Sequence, residues 1–132
     1  TAQDLTLHLY PTTNSGASTF SDSFGFKVSM GWYRKWLFGQ QQARVVRLDD
    51  LLPSIPQAVK LVKVDIEGFE LEALRGGRQL VTERRVRYWL IEIHEVALQQ
   101  MGQSEAMIDD LMKEAGYTKE KLAANLNMYA LE

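Results

Sequence analysis

Residues 59–77 read VKLVKVDIEGFELEALRGG, and this stretch decides the fold class. The run Val59–Val64 is apolar apart from its lysines, a pattern typical of a parallel strand that is buried on both faces. Residues 65–68 break the run, and leucines one helical turn apart then predict a helix over residues 69–75, which ends at the glycine pair 76–77. Three charged residues of this helix are predicted to face water: Glu70, Glu72 and Arg75. The stretch therefore predicts a strand, a tight turn and a helix in direct succession.

Strand and helix patterns continue on both sides of this unit. Apolar alternation or short apolar runs predict further strands at residues 5–10, 43–48, 88–94 and 127–131. Asp49 or Asp50 is expected to cap the short turn that follows the second strand. A second helix is predicted from Ser104, its capping residue, to Gly116. Its predicted apolar face consists of Met107, Ile108, Leu111 and Met112.

The alternation of strands and helices predicts an α/β fold of the doubly wound type. We expect a mixed sheet with an N-terminal antiparallel pair, two central parallel strands and a C-terminal edge strand. Residues 12–22 are rich in small polar residues and predict a loop, and the aromatic residues 30–38 predict a short amphipathic turn or lid.

Composition narrows the class of protein. The chain has 132 residues, 45% of them hydrophobic and 24% charged, which is typical of one globular domain. It contains no cysteine, which excludes disulfides and thiolate metal sites. A net charge of −2 argues against general binding to nucleic acid or to anionic membranes. No apolar run approaches the roughly 20 residues of a membrane span, and we expect a cytoplasmic protein.

Charged residues gather where two predicted parallel strands end. Lys63, Asp65 and Glu67 are spaced by two at the end of one strand, and Glu92 and His94 are spaced by two at the end of another. Open α/β sheets bind their ligands at this edge. Carboxylates there can orient a hydroxyl group, and a histidine can accept its proton near neutral pH. The competing interpretation is a structural ion pair between Lys63 and either Asp65 or Glu92, which neutralises charge at the strand end.

Several segments carry a resemblance to a known family. They are LDDLL at residues 48–52, KLVKVDIEGFELEALRGG at 60–77, LIEIH at 90–94 and, upstream, NSGAS at 14–18. In these segments the chain resembles the FkbM-type S-adenosylmethionine-dependent methyltransferases. The resemblance implies a Rossmann-like class I methyltransferase fold and O-methylation of a small molecule or a sugar. It also implies that Asp65 meets both cofactor and acceptor. Lys63 and Glu67 would then orient Asp65, while Glu92 and His94 would line the acceptor side.

One feature of class I methyltransferases is missing from the sequence. No glycine-rich loop in a strand–turn–helix context precedes residue 60. We therefore expect residues 1–132 to be a single domain fragment, the C-terminal half of the methyltransferase domain, without its main cofactor loop. An exposed sheet edge left by the missing strands is expected to favour a homo-oligomer.

Two other functions fit parts of the sequence. Asp65, Glu67 and Glu92 could bind Mg²⁺ in a metal-dependent hydrolase. The aromatic and basic residues 32–36 could instead dock a partner in a non-catalytic interaction module. The family resemblance explains the acidic residues better than a metal site does, so we expect none of the five charged residues to be a metal ligand.

Overall fold

The computed structural model describes residues 3–9 and 39–132. The strands are β1 (Gln3–Leu9), β2 (Gly39–Val45), β3 (Val59–Val64), β4 (Val86–Glu92), β5 (Thr118–Lys121) and β6 (Leu126–Ala130). The α-helices are α1 (Glu70–Gly76), α2 (Arg78–Thr82), α3 (Glu95–Gln100) and α4 (Glu105–Glu114), and a 3-10 helix spans Leu48–Ser54. The predicted loop at 12–22, which includes residues 14–18, and the aromatic segment at 30–38 lie outside the described residues.

The strands form two sheets, and both predicted pairings are present. β1 and β2 are antiparallel, with Leu5 opposite Ala43. In the second sheet the strand order is β3-β4-β6-β5. Strands β3 and β4 are parallel, with Val62 opposite Trp89. The mixed α/β architecture predicted from the sequence is therefore confirmed.

The C-terminal strand does not lie at the edge of the sheet, so that prediction is wrong. β6 pairs antiparallel with β4 on one side and with β5 on the other. Strand β5, which occupies the edge, has the sequence TKEK, and every one of its residues is exposed. Because β5 has no apolar alternation, the sequence pattern did not mark it as a strand.

The prediction that β3 is buried on both faces is also wrong. Within this strand only Val64 is buried, and Leu61 is 52% exposed. Among the described residues β3 lies at the end of its sheet and pairs with β4 alone. A continuous apolar run is typical of a central strand, but the run does not show which neighbouring elements cover it.

The core lies between the second sheet and its helices. Its fully buried side chains include Trp89, Ile91 and Tyr129 from the sheet, Leu71 and Leu74 from α1, and Ile108 and Met112 from α4. Each such side chain contributes roughly 1.5–3 kcal/mol by leaving water. Met107, predicted on the same apolar face of α4, is instead 40% exposed. No helix in the described part of the chain is long and apolar enough to cross a membrane.

The helix ends follow the sequence in part. Helix α1 ends at Gly76, with Gly77 as its capping residue. Helix α4 begins directly after Ser104, as predicted, but Ser104 makes no side-chain cap hydrogen bond and the helix ends at Glu114 instead of Gly116.

Asp49 has another role than expected. Its side chain makes no cap bond to the 3-10 helix but accepts the backbone N–H of Gln79, at 3.0 Å, in the first turn of α2. Helices α2 and α3 were not predicted.

Candidate active site

The turn between β3 and α1 forms the base of the site. Glu67 and Gly68 have positive φ angles of 54° and 99°. A Cβ atom at position 68 would lie 2.4 Å from the Cβ of Ala97 in α3, so only glycine fits this contact. The tight turn thus brings the carboxyl end of β3 against the start of α3, directly after the end of β4.

Lys63 and Asp65 form an exposed ion pair at the end of β3. The Lys63 Nζ lies 2.7 Å from Asp65 Oδ2, and the two side chains are 55% and 34% exposed. The hydrogen bond and the charge of Asp65 raise the pKa of Lys63. The structural ion pair is therefore present, but it is open to water, so the Asp65 carboxylate remains accessible to a ligand.

His94 lies at the centre of the cluster. Its side chain is only 17% exposed, and its Nε2 lies 3.5 Å from Glu67 Oε2 and 4.0 Å from Asp65 Oδ1. Burial lowers the pKa of His94, but the hydrogen bond to Glu70 and the charges of the neighbouring carboxylates outweigh it, so the pKa is raised above its usual value of 6.5. The predicted meeting of Asp65, Glu67 and His94 is thus found.

Glu70 is the site residue that the sequence analysis missed. It was expected to face water, but its side chain is fully buried. Its Oε1 accepts the backbone N–H of Gly68 at 2.9 Å and lies 2.8 Å from Nδ1 of His94. Because Glu70 is the first residue of α1, helical periodicity says little about where it points. The sequence did contain one indication of this role. Glu70 follows the turn glycine by two residues, so its side chain can reach back to the backbone N–H of that glycine.

Glu92 takes a different position from the one expected. Its Oε1 accepts a hydrogen bond of 3.0 Å from Asn125 Nδ2 instead of joining the trio of Asp65, Glu67 and His94. Its negative charge still contributes to raising the pKa values of Lys63 and Glu67. Asn125 lies in the turn between β5 and β6 and had no sequence signal, because β5 was not predicted.

Glu67 is held in an environment that disfavours its charge. Partial burial raises the pKa of Glu67, and the charges of Asp65, Glu70 and Glu92 add to this, whereas His94 opposes it. Four carboxylates therefore lie in or beside the cluster, those of Asp65, Glu67, Glu70 and Glu92, together with two basic groups, Lys63 and His94. The surplus of negative charge favours cationic or hydrogen-bond-donating ligands.

Comparison with known proteins identifies the family. The model of a protein family described as "Methyltransferase FkbM domain" matches residues 2–119. The chain belongs to this family. No curated protein and no solved structure matches it. The candidate active site of this FkbM methyltransferase domain is thus the group of Asp65, Glu67 and His94 at the ends of β3 and β4, which we call the crevice below.

The site of this FkbM domain also has the donor atoms of a metal centre, in an unexpected combination. One ligand atom each from Asp65, Glu67 and His94 lies within 4.8 Å of the others. The set considered for a hydrolase was Asp65, Glu67 and Glu92, and the structure gathers the histidine in place of Glu92. The match to the FkbM family favours a methyltransferase over a metal-dependent hydrolase.

Proposed function

We propose that this domain transfers a methyl group from S-adenosylmethionine to a hydroxyl oxygen of a small molecule or a sugar. The observation that carries the proposal is His94 Nε2, which faces Asp65 and Glu67 at the carboxyl ends of two parallel strands. This is the edge at which α/β sheets bind ligands. Membership of the FkbM family supports methyl transfer as the reaction.

The residues of the crevice fit the proposed cofactor. S-adenosylmethionine, when bound, supplies an electrophilic methyl group on a positively charged sulfur that leaves with the S–C bonding electrons. The four carboxylates in or beside the cluster complement that positive charge. Asp65, the more exposed of the cluster's acids at the end of β3, is the residue we propose to contact the cofactor.

In this proposal a residue of the site takes the hydroxyl proton of the methyl acceptor. His94 Nε2 accepts it as the acceptor oxygen bonds to the methyl carbon, so that no proton remains on the ether product. Glu67 accepts a hydrogen bond from a hydroxyl of the acceptor and Lys63 holds the carboxylate of Asp65 in place. Most of the rate then comes from alignment of oxygen and methyl group.

A histidine substitution tests the proposal. The assay uses the longer protein that we expect from the missing cofactor loop, called the parent protein below, with saturating S-adenosylmethionine and a panel of sugar and small-molecule alcohols. His94→Gln should lower turnover by about 100- to 10,000-fold, because a positioned proton acceptor contributes that much. His8→Gln, a change at the other histidine of the chain, in β1, is the control and should leave turnover unchanged. Equal turnover in both variants would contradict the role of His94.

A further inference from the structure

The Glu70–His94 contact has the geometry of a carboxylate that orients a proton acceptor. The two side chains come from different elements, the first turn of α1 and the start of α3, and their polar atoms lie 2.8 Å apart. The side chain of Glu70 is fully buried, whereas that of His94 is 17% exposed. The imidazole ring therefore lies between the buried carboxylate of Glu70, at Nδ1, and the more exposed carboxylates of Glu67 and Asp65, on the side of Nε2.

The same contact defines which nitrogen of His94 carries a proton. A carboxylate accepts hydrogen bonds and does not donate them, and Glu70 Oε1 also accepts the N–H of Gly68. Nδ1 must therefore be the protonated nitrogen of the neutral ring. Its partner, Nε2, then has a free lone pair on the side of Glu67 and Asp65.

We infer that Glu70 is a positioning residue, which fixes His94 in the Nδ1–H form and aims Nε2 at the acceptor hydroxyl. This inference rests on the proposed function, because it assigns the partner of the proposed proton acceptor. The arrangement follows the general logic of a histidine base held by a buried carboxylate, in which loss of the carboxylate costs activity through the wrong tautomer. Glu70 itself touches neither acceptor nor cofactor in this scheme.

A purely structural role for Glu70 is the alternative. Its bond to the Gly68 N–H stabilises the turn whether or not His94 reacts. Its other oxygen, Oε2, is buried and has no hydrogen-bond partner among the described residues. A glutamine at this position would bury an unpaired amide N–H₂ group there, so Glu70→Gln lowers the melting temperature under either interpretation. Stability alone therefore does not separate the two roles.

The pH dependence of turnover separates them. His94 is faced by Glu70 from α1 and by Asp65 and Glu67 from the turn after β3, and Glu70 is the one in hydrogen-bond contact. In the parent protein, Glu70→Gln should lower kcat at least about tenfold. It should also move the rising limb of the kcat/KM profile to lower pH by about one unit. The control is Glu72→Gln, a more exposed carboxylate of the same helix, which should change neither quantity.

Nitrogen NMR of the histidine rings gives a readout that needs no activity. We expect neutral His94 of the wild-type chain in the Nδ1–H form, with its signals assigned by comparison with the His8→Gln variant. Predominance of the Nε2–H form would overturn the inference, as would an unchanged pH profile and kcat in Glu70→Gln. If that variant does not fold, the wild-type tautomer decides. Absence of any methyl transfer together with the Nδ1–H form would overturn the proposed function but leave the orienting contact established.

Discussion

Among single residues, Asp65 both forms an exposed ion pair with Lys63 and belongs to the candidate active site. Its partner Lys63 is more than half exposed, and exposed ion pairs contribute little to stability. Asp65→Asn should therefore leave the melting temperature nearly unchanged. Loss of a charged contact in the active site should lower turnover by about 100- to 1000-fold. Glu72→Gln, which removes a comparable ion pair with Arg75, is the matched control. A variant that melts early but turns over normally would show Asp65 to be structural.

His94 should also give the free energy of unfolding a distinct pH dependence. Burial opposes the shift, but its carboxylate neighbours raise the pKa of the folded-state imidazole above 6.5. The folded protein therefore binds this proton more tightly than the unfolded chain does. The resulting stabilisation is complete below about pH 6.5 and is lost as the pH rises through the folded pKa. Glu67, whose pKa is also raised, acts in the same direction at lower pH.

Urea denaturation between about pH 6 and pH 9 measures this effect. We expect the free energy of unfolding to decrease with pH in the wild-type chain and to be flatter in His94→Gln. A wild-type stability that increases over this range would mean that His94 is stabilised in its neutral form instead.

Among the elements, the turn from β3 to α1 connects the sheet to the site. Gly68→Ala places a side chain at a positive φ angle and against Ala97, and both effects destabilise. The left-handed backbone costs about 1–2 kcal/mol and overpacking adds about 1–3 kcal/mol. Gly102→Ala is the control, since Gly102 also has a positive φ angle but has no atom within 4 Å of the added Cβ. Thermal unfolding should show a clearly larger loss for Gly68→Ala, and equal losses would contradict the contact with Ala97.

The elements also show how much of the fold and of the site could be predicted from the sequence. Hydrophobic periodicity was sufficient for α1, β4 and α4, because each buries apolar side chains. The apolar run at residues 59–64 located β3 as a strand, although only Val64 of it is buried. Periodicity failed for β5, whose four residues are all exposed. It also failed for Glu70, which is buried because a hydrogen bond to the Gly68 turn and to His94 replaces water. Spacing by two placed Glu92 near the crevice, but its partner Asn125 comes from a turn that the sequence did not reveal.

For the molecule as a whole, the absence of a glycine-rich cofactor loop from the sequence leads to a binding prediction. In open α/β sheets, a glycine-rich turn after the first strand lets the backbone approach a bound dinucleotide cofactor closely. The 132-residue chain should therefore bind S-adenosylmethionine weakly or not at all in titration calorimetry. Micromolar affinity of the isolated chain for S-adenosylmethionine would show that cofactor binding does not depend on a loop of this kind.

The β3 edge leads to a second expectation for the whole molecule. Among the described residues this strand has a neighbour on one side only, and an open strand edge tends to recruit another chain. We expect a dimer or larger assembly in light scattering. Lys60→Pro should weaken it, since proline interferes with strand pairing, while Lys60→Ala should not. A monomer at all concentrations would exclude pairing through this edge.

The central claim is that the crevice of Asp65, Glu67 and His94 directs methyl transfer to oxygen. The most direct measurement incubates the parent protein with S-adenosylmethionine that carries a ¹³C-labelled methyl group and follows the label by NMR in a panel of hydroxyl acceptors. We predict a labelled O-methyl product, formed in step with S-adenosylhomocysteine, and formation at least about 100-fold slower with His94→Gln and Asp65→Asn. Label on nitrogen or carbon, or an O-methyl product that both variants form at the wild-type rate, would contradict the claim.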